Sequence, residues 1–122
     1  MNDINILIIK NGRCRTYVPD IINRISDNID TTVIHSDQIA DINRVYDAVI
    51  ILGGIVSVRD LDTSKNLQNV IEYISECDNA HTPVLGICLG CQLIAKYLGM
   101  NIKIVEEVTL VYTKMHKLEY PH

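Results

Sequence analysis

Residues 83–95 read Pro83-Val84-Leu85-Gly86-Ile87-Cys88-Leu89-Gly90-Cys91-Gln92-Leu93-Ile94-Ala95. A short apolar strand runs into Gly-X-Cys-X-Gly, and a helical pattern follows at once. This spacing predicts a nucleophile elbow, because glycines on either side of the central residue remove the Cβ atoms that would clash in so sharp a reversal. Cys88 would then stand clear of the sheet at the start of a helix. The unpaired N–H groups and positive dipole end of that helix favour thiolate over thiol. Covalent catalysis through a thioester is the chemistry such a cysteine performs.

Outward from the elbow, the apolar runs fall into strands alternating with helices. Residues 4–9 (Ile-Asn-Ile-Leu-Ile-Ile) predict a first strand closed by the turn signal Asn11-Gly12. Ile21, Ile22 and Ile25 recur at helical spacing behind Pro19 and Asp20, predicting a helix over 18–26. A second strand is expected over 31–35, a short helical turn within 37–43, and a central strand over 48–52 that ends in Gly53-Gly54. Ser64 is placed to cap a helix with Val70, Ile71 and Ile74 on its inner face, ending near Cys77. The elbow strand and helix occupy 83–88 and 89–98, with Gly99 in the C′ position. Residues 101–105 predict a fifth strand and 108–112 a further one. Right-handed βαβ units of this kind build a doubly wound parallel sheet, with flavodoxin-like order 2-1-3-4-5. Ligands in such sheets bind off the carboxyl ends of the strands, where both Gly54 and Cys88 are expected.

The segment Gly86-Ile87-Cys88-Leu89-Gly90-Cys91-Gln92 resembles the signature of class I (triad) glutamine amidotransferases. Ile50-Ile51-Leu52-Gly53-Gly54-Ile55-Val56-Ser57-Val58 is similar to the strand and oxyanion loop of the same family, in the branch that resembles the amidotransferase domain of GMP synthase. The likeness runs from Ile4 to Ile104. It implies that Cys88 attacks the side-chain amide of glutamine and expels ammonia. It also implies that the backbone N–H groups of Gly54 and Leu89 form the oxyanion hole and that Gln92 contacts the bound glutamine. Two positions depart from the pattern. Ile55 replaces the usual proline, which predicts a less rigid loop, and Cys91 stands where relatives often carry histidine.

The family places its catalytic histidine, followed two residues later by glutamate, on a late strand. No His-X-Glu follows Cys88; His116-Lys117-Leu118-Glu119 has a different spacing. Residues 1–122 therefore read as one amidotransferase-like domain, incomplete at its C-terminal end. An unfinished sheet predicts self-association or a protein partner such as a synthetase. It also predicts glutaminase activity near background.

Composition narrows the alternatives. At 122 residues the chain is one domain with no room for a second catalytic module, and its net charge of −4 offers no footprint for nucleic acid or an anionic membrane. No apolar run approaches a transmembrane span, and residues 4–9 lack the basic leader of a signal peptide. Four cysteines in such a chain point to reduced thiols in the cytoplasm. Tryptophan and phenylalanine are absent, so the core must be Ile, Val and Leu, as parallel sheets favour. No cofactor or metal is implied, since Cys88 and Cys91 have no second ligand pair. Two rivals to glutamine chemistry stay open. One is a catalytically silent binding or regulatory module on the same fold; the other is a redox sensor using Cys88-Leu89-Gly90-Cys91 as a C-X-X-C pair.

Overall fold

The computed structural model describes residues 4–54 and 63–101. Within them lies a four-stranded parallel sheet of order β2-β1-β3-β4, formed by β1 (Ile4–Lys10), β2 (Ile29–His35), β3 (Ala48–Ile51) and β4 (Val84–Gly86). The helices are α1 (Val18–Ile25), α2 (Lys65–Asn79) and α3 (Leu89–Tyr97), with a 3-10 turn over Ser36–Asp41. This is the flavodoxin-like order expected for the first four strands. Residues 102–105 of the expected fifth strand, the segment 108–112, Ile55 and His116 all lie outside the described residues.

β1 sits at the centre because Leu7, Ile8 and Ile9 are fully buried, as a strand covered on both faces requires. Leu7 and Ile9 join Val49 and Ile51 of β3, and α2 and α3 cover them with Leu67, Val70, Ile74, Leu89 and Leu93. Ser64 caps α2 as expected, its Oγ accepting the Leu67 N–H at 3.3 Å. The inner face of α2 follows the predicted stripe, with Val70 and Ile74 buried and Ile71 partly so. His81, just past this helix, adopts a positive φ of 58° while the Thr82 N–H reaches back to the Cys77 carbonyl at 2.8 Å, a left-handed helix stop.

The other face of the sheet differs from the sequence pattern. α1 buries none of its residues, and Ile21 and Ile25 are exposed although their spacing predicts an inner stripe. Helical periodicity reports which residues share a face; it says nothing of how closely that face is covered.

The register fixes where each strand delivers its chain. Lys10 pairs with His35, Ile9 with Ile51, and Ile51 with Gly86. The carboxyl ends of the four strands thus form one edge, and residues 11, 52 and 87 leave it side by side.

Candidate functional site

The elbow is built at the end of β4. The Ile87 N–H continues the ladder by donating to the Ile51 carbonyl at 2.9 Å, and the chain then turns abruptly. β4 is accordingly shorter than expected, stopping at Gly86 because Cys88 adopts φ 55° and ψ −118°. A non-glycine residue held there stores about 1–3 kcal/mol of backbone strain, and such strain clusters at functional sites. The flanking glycines are obligatory on packing grounds. A Cβ on Gly86 would lie 2.5 Å from the Gly90 carbonyl carbon, and one on Gly90 would overlap the Ile51 carbonyl oxygen. α3 thus begins pressed against both β4 and β3.

Cys88 is the N-cap of α3 and is exposed. Its carbonyl accepts the Gln92 N–H at 3.2 Å, so the helix starts directly beneath the thiol. Leu89 is the first residue of the helix, where backbone N–H groups have no partner within the helix itself. Gln92, one turn on, is half-buried, and no hydrogen bond among the described residues holds its side chain elsewhere.

The parallel register brings the Gly53-Gly54 segment to this elbow. A Cβ on Gly53 would sit 2.9 Å from the Cys88 Cβ and 3.7 Å from the Leu89 nitrogen. Gly54 turns the other way, where a Cβ would come within 2.7 Å of the Asn11 backbone. The segment is therefore wedged between the elbow and the end of β1. Asn11 is buried, and its Nδ2 donates to the Leu52 carbonyl at 2.8 Å, tying the residue just before Gly53 to β1. Its Oδ1 has no partner among the described residues.

Sequence reading singled out Cys88, Leu89, Gly54 and Gln92, and the structure gathers the first three with Gly53 at one edge. It assigned Asn11 only a turn. The available signal was an amide just past the apolar Ile6-Leu7-Ile8-Ile9 run of β1, a position where a polar side chain is buried only with a specific partner.

The remaining thiols differ in surroundings. Cys14 is exposed on the loop after β1. Burial pushes the Cys91 thiol above the ordinary range, and neighbouring Cys88 pushes it the same way. Burial also raises Cys77, and Glu76 adds to this, while the hydrogen bond with Tyr73 opposes it. Cys91 is therefore held as a neutral thiol beneath the elbow, which disfavours it as the attacking partner of a redox pair.

Neither described histidine near a strand end faces the elbow. His35 closes β2, where its Nδ1 lies 3.1 Å from Asp37 Oδ1. His81 precedes β4, at the opposite edge of the sheet from Cys88. Among the described residues no helix is long and apolar enough to cross a membrane.

Comparison with known proteins adds independent findings. The sequence matches the class-I glutamine amidotransferase family over residues 11–121. It is 40% identical over 103 residues to a protein of Acanthamoeba polyphaga mimivirus named as glutamine amidotransferase-like, covering 80% of this chain and 47% of that one. A GMP synthase of Thermotoga maritima, named as glutamine-hydrolysing, is 38% identical over 84 residues, which cover 68% of this chain and 15% of that protein. Among solved structures, a Thermoplasma acidophilum protein described as one subunit of a GMP synthase superposes with a TM-score of 0.62 at 25% identity. That match covers 85% of this chain and 49% of the other. A glutamine amidotransferase from Thermotoga maritima shares the fold with a TM-score of 0.65 at 24% identity, over 81% of this chain and 44% of its own. The chain thus spans about half the length of the mimivirus and Thermoplasma relatives.

Proposed function

Since the chain belongs to the class I glutamine amidotransferase family, we propose that Cys88 is the nucleophile of a glutamine-binding site and that residues 1–122 form one amidotransferase-like domain. The observation that carries this reading is the exposed Cys88 at φ 55°, set on the first turn of α3 with Gly53 packed against it. In the proposed reaction Sγ attacks the side-chain amide carbon of glutamine, and the carbonyl electron pair moves onto oxygen. The N–H groups of Gly54 and Leu89 receive that oxyanion, each such donor contributing about 10²–10³ in rate. Collapse breaks the C–N bond, ammonia leaves with a proton, and a γ-glutamyl thioester remains on Cys88. Water then releases glutamate and restores the thiol. Gln92 orients the bound glutamine.

Proton transfer to the leaving amine contributes about 10²–10⁴. His35 is engaged with Asp37 and His81 lies at the far edge, so neither supplies it. A synthetase acceptor for ammonia accords with the matched proteins named GMP synthase. The exposed Leu85 on β4 and the uncovered Ile21 and Ile25 on α1 support association with a partner or with a second copy. Four free cysteines fit a reducing, cytoplasmic setting.

Limited iodoacetamide treatment at neutral pH tests the nucleophile. Cys88 should be carboxamidomethylated first, ahead of Cys14, which is also exposed but on no helix start. Cys77 and Cys91 should react only as the pH rises above the ordinary thiol range, because a raised thiol carries less of the reactive thiolate at any given pH. Peptide mapping that finds Cys14 modified and Cys88 untouched would remove the nucleophile from this reading.

A further inference from the structure

The same sheet edge carries a second concavity on the opposite side of β1 from the elbow. The strand order is β2-β1-β3-β4, and this cavity opens between the ends of β1 and β2. It has a volume of about 550 Å³ and is lined by Lys10, Arg13, Val33, His35, Asp37 and Gln38. Register explains the grouping: Lys10 lies directly beside His35, and Val33 is on the same face two residues earlier.

Its charge is unbalanced. Nearby Arg15 is paired with Asp20, while His35 Nδ1 accepts the Asp37 backbone N–H at 3.2 Å and so leaves the Asp37 carboxylate charged at the cavity rim. Lys10 and Arg13 have no ion-pair partner among the described residues. The lining thus carries two cations, Lys10 and Arg13, against the single Asp37 carboxylate, in a chain whose net charge is −4. Gln38 Oε1 is occupied by the His35 N–H at 2.9 Å, which leaves its NH₂ group as a donor. Arginine offers a planar fork to two anionic oxygens while lysine adds a point charge, the combination suited to a phosphate group. The volume falls within the range of small-molecule sites, about 300–1,000 Å³, and exceeds what an inorganic anion fills. Val33 supplies an apolar wall for the organic remainder.

We propose that this cavity binds a small organic phosphate monoester, with Lys10 and Arg13 neutralising the phosphate and Val33 and Gln38 contacting the body of the molecule. The site is separate from Cys88 and does not depend on glutamine chemistry. Amide NMR of the full chain, titrated with ribose phosphate, ribose and inorganic phosphate, tests it. Ribose phosphate should give saturable shifts centred on Lys10, Arg13 and residues 35–38; ribose should give none, and inorganic phosphate should bind more weakly at the same residues. Arg13→Gln and Lys10→Gln should each weaken ribose phosphate by about tenfold or more. Arg13 is exposed, so its variant keeps the fold and serves as the secure comparison. Absence of saturable shifts at millimolar ribose phosphate would overturn the proposal. So would unchanged affinity in Arg13→Gln, or inorganic phosphate binding as tightly as the ester.

Discussion

Gly90→Ala should destabilise the chain by about 3 kcal/mol or more, a large share of the ~5–15 kcal/mol that holds a domain of this size folded. The added methyl group would overlap the Ile51 carbonyl oxygen and come within 2.7 Å of its carbon, both of which are backbone atoms in the sheet. A flexible side chain could swing aside, but a strand within a ladder cannot. The same carbonyl accepts the Ile87 N–H at 2.9 Å, so relief by moving α3 or β3 would loosen the turn that presents Cys88. Gly99→Ala is the control. Gly99 also has a positive φ, 76°, but open space surrounds it, so only the backbone penalty of about 1–2 kcal/mol applies. Denaturant unfolding of the two variants separates steric overlap from backbone strain. A Gly90→Ala protein within ~0.5 kcal/mol of the parent would mean that α3 does not pack against β3 as described.

How much of this was legible in the sequence depends on whether the relevant information was local. The runs of Ile, Val and Leu at 4–9 and 48–52 announce strands buried on both faces, and alternation with helices is enough to give the parallel order. Ser64 and Gly99 mark helix ends through backbone chemistry that operates within a few residues. Cys88 was legible for the same reason, since the strain at φ 55° and the approach of α3 are both written into its flanking glycines.

What was illegible came from register or from coverage. Contact of Gly53 with Cys88, and of Gly54 with Asn11, follows from parallel pairing of strands distant in sequence, and no local pattern encodes that alignment. Asn11 is buried because it ends β1 where the Leu52 carbonyl needs a donor, a need visible only once β3 lies beside it. The cavity beside Lys10 arises the same way, from the pairing of Lys10 with His35. For α1 the pattern misled: Ile21 and Ile25 share a face with nothing described packed tightly on it, so their exposure was not deducible from spacing.

The second large effect concerns glutamine itself. A diazoketone analogue of glutamine carries its reactive carbon near the position of the side-chain amide. It should react quickly only where a nucleophile, oxyanion donors and contacts to the amino-acid portion occur together. Cys14 is exposed but has none of these neighbours, so it provides the internal comparison. Gln92→Ala removes a side chain that no other hydrogen bond among the described residues occupies. It should slow alkylation by the analogue about 10–100-fold, the equivalent of one or two lost hydrogen bonds to a charged ligand. Iodoacetamide labelling of Cys88 in this variant should be little changed, because that reagent uses only the thiol. Equal slowing of both reagents would make Gln92 a support for the helix and not a ligand contact.

Mass mapping of the analogue-treated protein tests the central claim most directly. Alkylation confined to Cys88, suppressed by excess glutamine and absent from Cys88→Ala, is the result expected of a presented nucleophile beside a glutamine site. An unmodified Cys88, or alkylation distributed over Cys14 and Cys88 with no protection by glutamine, would contradict it.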